Sequence, residues 1–134
     1  MTAVNVVLDA SVLVRAAVDR APDARAWTAR LGGDVHGHAP ELIWAEAASA
    51  LRLYVTTKAM SRVLAHEVLA NLMRLDLESH ALRELAVPAL ERALQQRVSV
   101  YDACYLVLAD ALGASVVTSD RRLATTATEA DLIA

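Results

Sequence analysis

The chain has 134 residues, 56% of them hydrophobic, enough for one domain spanning 1–134 that buries roughly two-thirds of its unfolded surface; disorder is excluded. A net charge of −3 supplies no global basic field, so any contact with nucleic acid must rest on a local patch, and the cations are all arginine except Lys58. The single cysteine, Cys104, excludes an internal disulfide and a CxxC metal site; with no signal-like start and no apolar run of ~20 residues, no membrane association is expected and the cytoplasm is the default location.

In chain order, Asn5–Leu8 is short, β-branched and without alternation, the pattern of a buried parallel strand. Ser11–Val18 follows as the first turns of a helix, which leaves Asp9 where strand gives way to helix. Ala21-Pro22-Asp23 is a turn, and Pro22–Leu31 a helix with proline at its start and Ala24, Trp27 and Leu31 at helical spacing; Gly32-Gly33-Asp34 ends it. Val35–Ala39 is a short strand. Pro40 opens a helix over Glu41–Thr56, and Ser61 caps a second over Ser61–Leu75, with Val63, Leu64, Val68, Leu72 and Leu75 as its apolar stripe. Leu77–Ala81 is a strand, Pro88–Gln96 a short helix, and Ser99–Leu112 the most apolar helix, stopped by Gly113. Ser115–Thr118 is a strand and Arg121–Thr126 a last helix. Strands alternating with helices indicate an α/β fold with a central parallel sheet.

Four acids stand out against this apolar background. Asp9 and Asp120 each follow a buried strand, at the carboxyl ends where open α/β sheets bind ligands. Glu46 lies in LIWAEAASALRLYV and Asp102 in VSVYDACYLVLA, helices with few other polar groups. Each acid has a structural reading: Asp9 as a helix cap, Glu46 as a rim partner of Arg52, Asp102 as the cap of a later-starting helix, Asp120 as a turn or cap residue before Arg121. Four carboxylates meeting in one cleft would raise each other's pKa, a conflict that a hard divalent cation removes with oxygen ligands. His36 and His38 suggest a metal pair in a glycine-rich turn but have no third ligand in view, so they are set aside.

LDASVLV, PELIWAEAASAL and VSVYDACYLVLADALGASVVTSDRRL, with the overall length, resemble PIN-domain ribonucleases, and among them the VapC-type toxins of toxin–antitoxin pairs. The resemblance implies a three-layer PIN-like fold, a parallel sheet of four or five strands flanked by helices, with the strands of Asp9 and Asp120 side by side. It implies a Mg²⁺- or Mn²⁺-dependent endoribonuclease in which metal-activated water cleaves RNA phosphodiesters. Asp9, Glu46, Asp102 and Asp120 are then the catalytic and metal-site acids. Ser11 and Thr118 are auxiliary hydroxyls, and Arg15, Arg121 and Arg122 candidate phosphate contacts. The implied partners are an RNA substrate, a VapB-type antitoxin that places an arginine between Asp9 and Asp120 with apolar neighbours beside Trp44, and a second copy of the chain. Trp44, Tyr54 and the helix Ser61–Leu75 supply the apolar surface for such assembly.

Rival classes fare less well. A phosphoacceptor receiver domain needs a lysine after a late strand, and Lys58 sits at a helix end; a haloacid-dehalogenase-type phosphatase wants Asp-x-Asp, and Asp9 is followed by Ala10-Ser11. A non-catalytic PIN-like binding module and a DNA-directed nuclease of similar fold remain the alternatives, the first opposed by the intact acidic quartet.

Overall fold

The buried run at the start of the chain forms the central strand of a five-stranded parallel sheet, in which the strands lie in the order Leu77–His80, Val35–Pro40, Val4–Leu8, Ser115–Thr118, Ala130–Leu132. The structure, a computed structural model, describes residues 2–134; Met1, within the expected domain span, lies outside the described residues. The strands are β1 (Val4–Leu8), β2 (Val35–Pro40), β3 (Leu77–His80), β4 (Ser115–Thr118) and β5 (Ala130–Leu132). The helices are α1 (Ala10–Val14), which runs into a π-helical turn at Arg15–Asp19, then α2 (Pro22–Ala29), α3 (Ile43–Thr56), α4 (Arg62–Leu72), α5 (Leu82–Gln96), α6 (Val100–Leu112) and α7 (Arg121–Thr126).

Alternation along β1 divides the core in two. Val6 and Leu8 face one side, where Val12, Leu13, Ala24, Ile43 and Leu72 cover them from α1 to α4. Val7 faces the other, against Ala89, Tyr105, Leu106 and Leu123 of α5, α6 and α7. Both faces are therefore dry at Val6–Leu8 and at Val116 and Val117, which is why those stretches are apolar without a break. The result is the three-layer sandwich expected, with five strands.

The chain first builds outward from β1 through β2 to β3, then returns to pair β4 on the other side of β1. The strand order reverses between β1 and β4, so the crevice lies beyond Leu8 and Thr118, at the point where doubly wound sheets take their ligands.

Several boundaries differ from the expected ones. Pro40 does not open a helix: it ends β2, paired with His80, and α3 begins at Ile43 after the Glu41 N–H has bonded to the His80 carbonyl at 2.8 Å. Proline's fixed φ and missing N–H are tolerated at such a strand end. Pro88 likewise starts nothing. It lies inside α5, which begins at Leu82, and its missing N–H falls on an exposed side where water can serve the Glu84 carbonyl. Ser61 and Ser99 are caps outside their helices, accepting from the Leu64 and Asp102 N–H groups. His36 and His38 lie on β2 rather than in a turn. Gly37 between them leaves room for its neighbours: a Cβ there would sit 2.5 Å from Leu31 Cδ2 and 3.0 Å from Leu77 Cδ1, so those leucine ends would have to move. The segment after Ala127, unassigned from the sequence, supplies β5, held by the Val116 N–H to the Glu129 carbonyl and the Ile133 N–H to the Thr118 carbonyl.

Candidate active site

Asp9 occupies the extended residue between β1 and α1, yet its side chain makes no capping bond to that helix. Its Oδ2 instead accepts from Ser11 Oγ and from Thr118 Oγ1, each at 2.8 Å. The two hydroxyls are themselves tied back: Ser11 Oγ accepts from the Ser119 N–H at 3.1 Å and Thr118 Oγ1 from the Asp120 N–H at 2.9 Å. The Asp9 N–H bonds to the Val117 carbonyl at 3.0 Å, so the ends of β1 and β4 are locked together around one carboxylate. Both hydroxyl bonds fall on Oδ2, which leaves Oδ1 without a donor among the described residues.

Asp120 combines its two readings. Its Oδ1 caps α7, accepting from the N–H groups of Arg122 (2.9 Å) and Leu123 (3.4 Å), while Oδ2 has no donor among the described residues. Asp102 is not a cap, because Ser99 performs that role three residues earlier. Burial pushes its carboxyl above the ordinary range, with Asp120 and Asp9 adding to the rise and Arg122 opposing it. Glu46 is raised chiefly by burial and further by Asp9 and Asp102, against a 2.6 Å hydrogen bond that its Oε1 accepts from the Tyr105 hydroxyl. It has no ion pair with Arg52 among the described residues.

All four acids line one cavity of about 680 Å³, with Ser11 and Arg15 also in its wall. Arg15 donates from Nε to the Ala134 carbonyl at 2.9 Å. Arg121 and Arg122 lie on the exposed side of α7 and do not line the cavity, although Arg122 is near enough to bear on Asp102. Trp44 is half-buried against the core and is not part of the wall; Tyr54, also packed on that core, is. Two participants, Asp19 and Tyr105, escaped the sequence reading. Asp19 adds a fifth acid at the rim, presented by the π-helical turn, and the Tyr54 hydroxyl donates to its Oδ1 at 3.1 Å. Tyr105 was foreshadowed only by its place three residues after Asp102, on the same face of α6.

Chemically, the cleft offers carboxylate oxygens, several without protein donors among the described residues, and at Glu46 and Asp102 burial disfavours the charged form. That donor set fits a hard divalent cation such as Mg²⁺ or Mn²⁺, which takes oxygen ligands and relieves the repulsion among them.

Fold and site together define a doubly wound α/β protein with an acidic cleft at its switch point. The PIN domain family model matches residues 6–129, and the chain belongs to that family. Among solved structures, the chain is similar to PAE2754 from Pyrobaculum aerophilum, with a TM-score of 0.74 and 22% identity over 98% of this chain and 91% of that one. It is also similar to VapBC2 from Rickettsia felis, determined bound to a DNA fragment from their promoter, with a TM-score of 0.67 and 13% identity over 96% and 98% of the two chains. No curated protein matches the sequence. Among the described residues no helix is long and apolar enough to cross a membrane.

Proposed function

We propose that the chain is a divalent-metal-dependent endoribonuclease and the toxin of a toxin–antitoxin pair, with a VapB-type antitoxin as its partner. The observation that carries the nuclease reading is the convergence of Asp9, Glu46, Asp102 and Asp120 on one cavity at the carboxyl ends of β1 and β4. The toxin reading adds family membership and the likeness to a structure named as VapBC2.

In this reading Asp9, Asp102 and Asp120 would hold Mg²⁺ or Mn²⁺, and Glu46 would help to hold a second ion or accept a proton from the attacking water. When bound, the cation supplies Lewis-acid stabilisation of the charge that develops on the phosphodiester. Ser11 and Thr118 hold Asp9 through Oδ2, which leaves Oδ1 free of donors among the described residues. Burial raises the Glu46 carboxyl above its ordinary value, which makes it a better proton acceptor than a free carboxylate. Arg15, in the cavity wall, holds a substrate phosphate, and Arg121 and Arg122 extend that contact along α7. The active species is a homodimer in the cytoplasm.

The test is cleavage of a defined RNA with Mn²⁺ or Mg²⁺, and of single-stranded DNA of the same sequence. Wild-type protein cuts the RNA, and excess chelator or Asp102→Asn abolishes cleavage. Full activity in either case refutes the metal mechanism; cleavage of DNA alone reassigns the substrate.

A further inference from the structure

A second cluster of metal-ligating side chains lies on the edge of the sheet, outside the acidic cavity. His38 on β2 pairs in register with Glu78 on β3, and Pro40 with His80, so His36, His38, Glu78 and His80 share one face of the sheet. His36 Nε2 lies 3.0 Å and His38 Nδ1 3.2 Å from the same oxygen, Glu78 Oε2. His80 Nε2 is 3.0 Å from His38 Nδ1. The atoms that His36, His38 and Glu78 offer all fall within 4.8 Å of one another. Donors in a tetrahedral site with bonds of ~2.0–2.1 Å stand about 3.3–3.4 Å apart, close to these separations.

His38 is the anchor. It is 3% exposed, and its Nε2 lies 2.9 Å from Asn5 Oδ1 on β1. A carboxamide oxygen only accepts, so Nε2 carries the hydrogen and Nδ1 presents its lone pair to the cluster. A ligating histidine characteristically donates its other ring N–H to an oxygen in just this way. That lone pair also faces a carboxylate oxygen, Glu78 Oε2, and two acceptors so close together call for a cation or a donor between them. The His80 Nε2–H can serve His38 while no ion is bound, and after a tautomer change the same atom can ligate.

We propose that His36, His38 and Glu78, with His80 at the fourth position, form a binding site for a borderline transition-metal dication, Zn²⁺ above all, that clips the edge strand β3 to β2. Two or three imidazoles and one carboxylate select Zn²⁺, Ni²⁺ or Cu²⁺ over Mg²⁺. None of the four residues lines the cavity of Asp9, Glu46, Asp102 and Asp120, so the protein has two centres of different chemistry. β3 has only four residues and lies at the sheet edge, where a clip to β2 adds most.

The test is titration calorimetry with Zn²⁺ on untagged, metal-stripped protein in two forms: wild type saturated with Mg²⁺, and Asp9→Asn/Asp102→Asn, in which the acidic centre is weakened. Both forms are expected to bind one Zn²⁺ per chain with micromolar or tighter affinity, and thermal stability rises with the logarithm of free Zn²⁺. His36→Gln and Glu78→Gln, each at a half-exposed side chain and checked for fold by circular dichroism, weaken that binding at least tenfold. Co²⁺ in place of Zn²⁺ gives the intense visible bands of a four-coordinate nitrogen-containing site in wild type and loses them in His36→Gln. No binding at 100 µM Zn²⁺, or equal binding in the His36→Gln and Glu78→Gln proteins, overturns the proposal.

Discussion

The Tyr105 hydroxyl on α6 donates a 2.6 Å hydrogen bond to Glu46 Oε1 on α3, joining two helices through an acid of the cleft. Tyr105 is 1% exposed, so phenylalanine fits the same space with only the hydroxyl removed. The bond opposes the upward push of burial on Glu46. In Tyr105→Phe the Glu46 carboxyl therefore rises further, and the acidic limb of the pH–rate profile moves up by about one unit, the scale of a hydrogen bond to a charged group. Profiles of the two proteins at saturating Mn²⁺ measure the shift; an unmoved limb removes Glu46 from the titrating step.

Thr118 is fully buried and holds both Asp9 Oδ2 and the Asp120 N–H with one hydroxyl. Thr118→Val keeps the shape and deletes both bonds, leaving a buried N–H without its partner. The expected cost is about 1–3 kcal/mol, with a large loss of nuclease activity because Asp9 is no longer held in place. Thr118→Ser restores most of both. Urea unfolding and RNA cleavage measured together check this, and a Val variant as stable and active as wild type contradicts it.

The metal-free protein has a pH dependence that follows from Glu46 and Asp102. Both are raised in the folded state, so folding favours their protonated forms. Their contribution to stability is fully present below the ordinary carboxylate values of 4.5 and 3.8 and is lost as pH rises through the raised folded values. In chelator, the melting temperature thus carries a component that falls as pH rises above the ordinary carboxylate values. Glu46→Gln and Asp102→Asn remove part of it and are more stable than wild type at pH 7, whereas saturating Mg²⁺ reverses that order. Melting curves from pH 4 to pH 8, with and without Mg²⁺, test the sign.

What could be read in advance divides along physical lines. β1 and β4 were legible because burial on both faces makes Val6–Leu8 and Val116 and Val117 apolar, and Asp9 and Asp120 stood out as acids just beyond those runs. Glu46 and Asp102 were legible for the same reason, as acids in apolar helices. β5 gave no such signal: its three residues are exposed, and backbone bonds to β4 alone define it. The true start of α5 was hidden because Pro88 reads as a beginning while the helix tolerates it on an exposed side. The partners of His38 were hidden for a different reason. Glu78 and His80 are some 40 residues away, and only the β2–β3 register brings them together.

The last expectation concerns silencing and rests on the toxin reading. The cleft is lined by Asp9 and Asp120, each with one carboxylate oxygen that has no donor among the described residues, and by Val14, Ala50, Leu53 and Tyr54. Trp44 is not in that wall, so apolar residues of an inhibitory segment pack against Tyr54 and Leu53 instead. An arginine on the antitoxin can pair bidentately with these acids, and the arrangement asks for positive charge whether metal or guanidinium supplies it. Arginine and cation then compete for one site. Antitoxin affinity is expected to fall as Mg²⁺ rises from none to millimolar, and Asp9→Asn with Asp120→Asn is expected to weaken it at least tenfold, about 1.4 kcal/mol. Asparagine keeps the size and the α7 cap at Asp120, so a loss reports charge rather than misfolding. Calorimetric titration of antitoxin into each protein at several Mg²⁺ concentrations measures both effects. Affinity that ignores the two substitutions and the cation alike places the inhibitory contact outside the cleft.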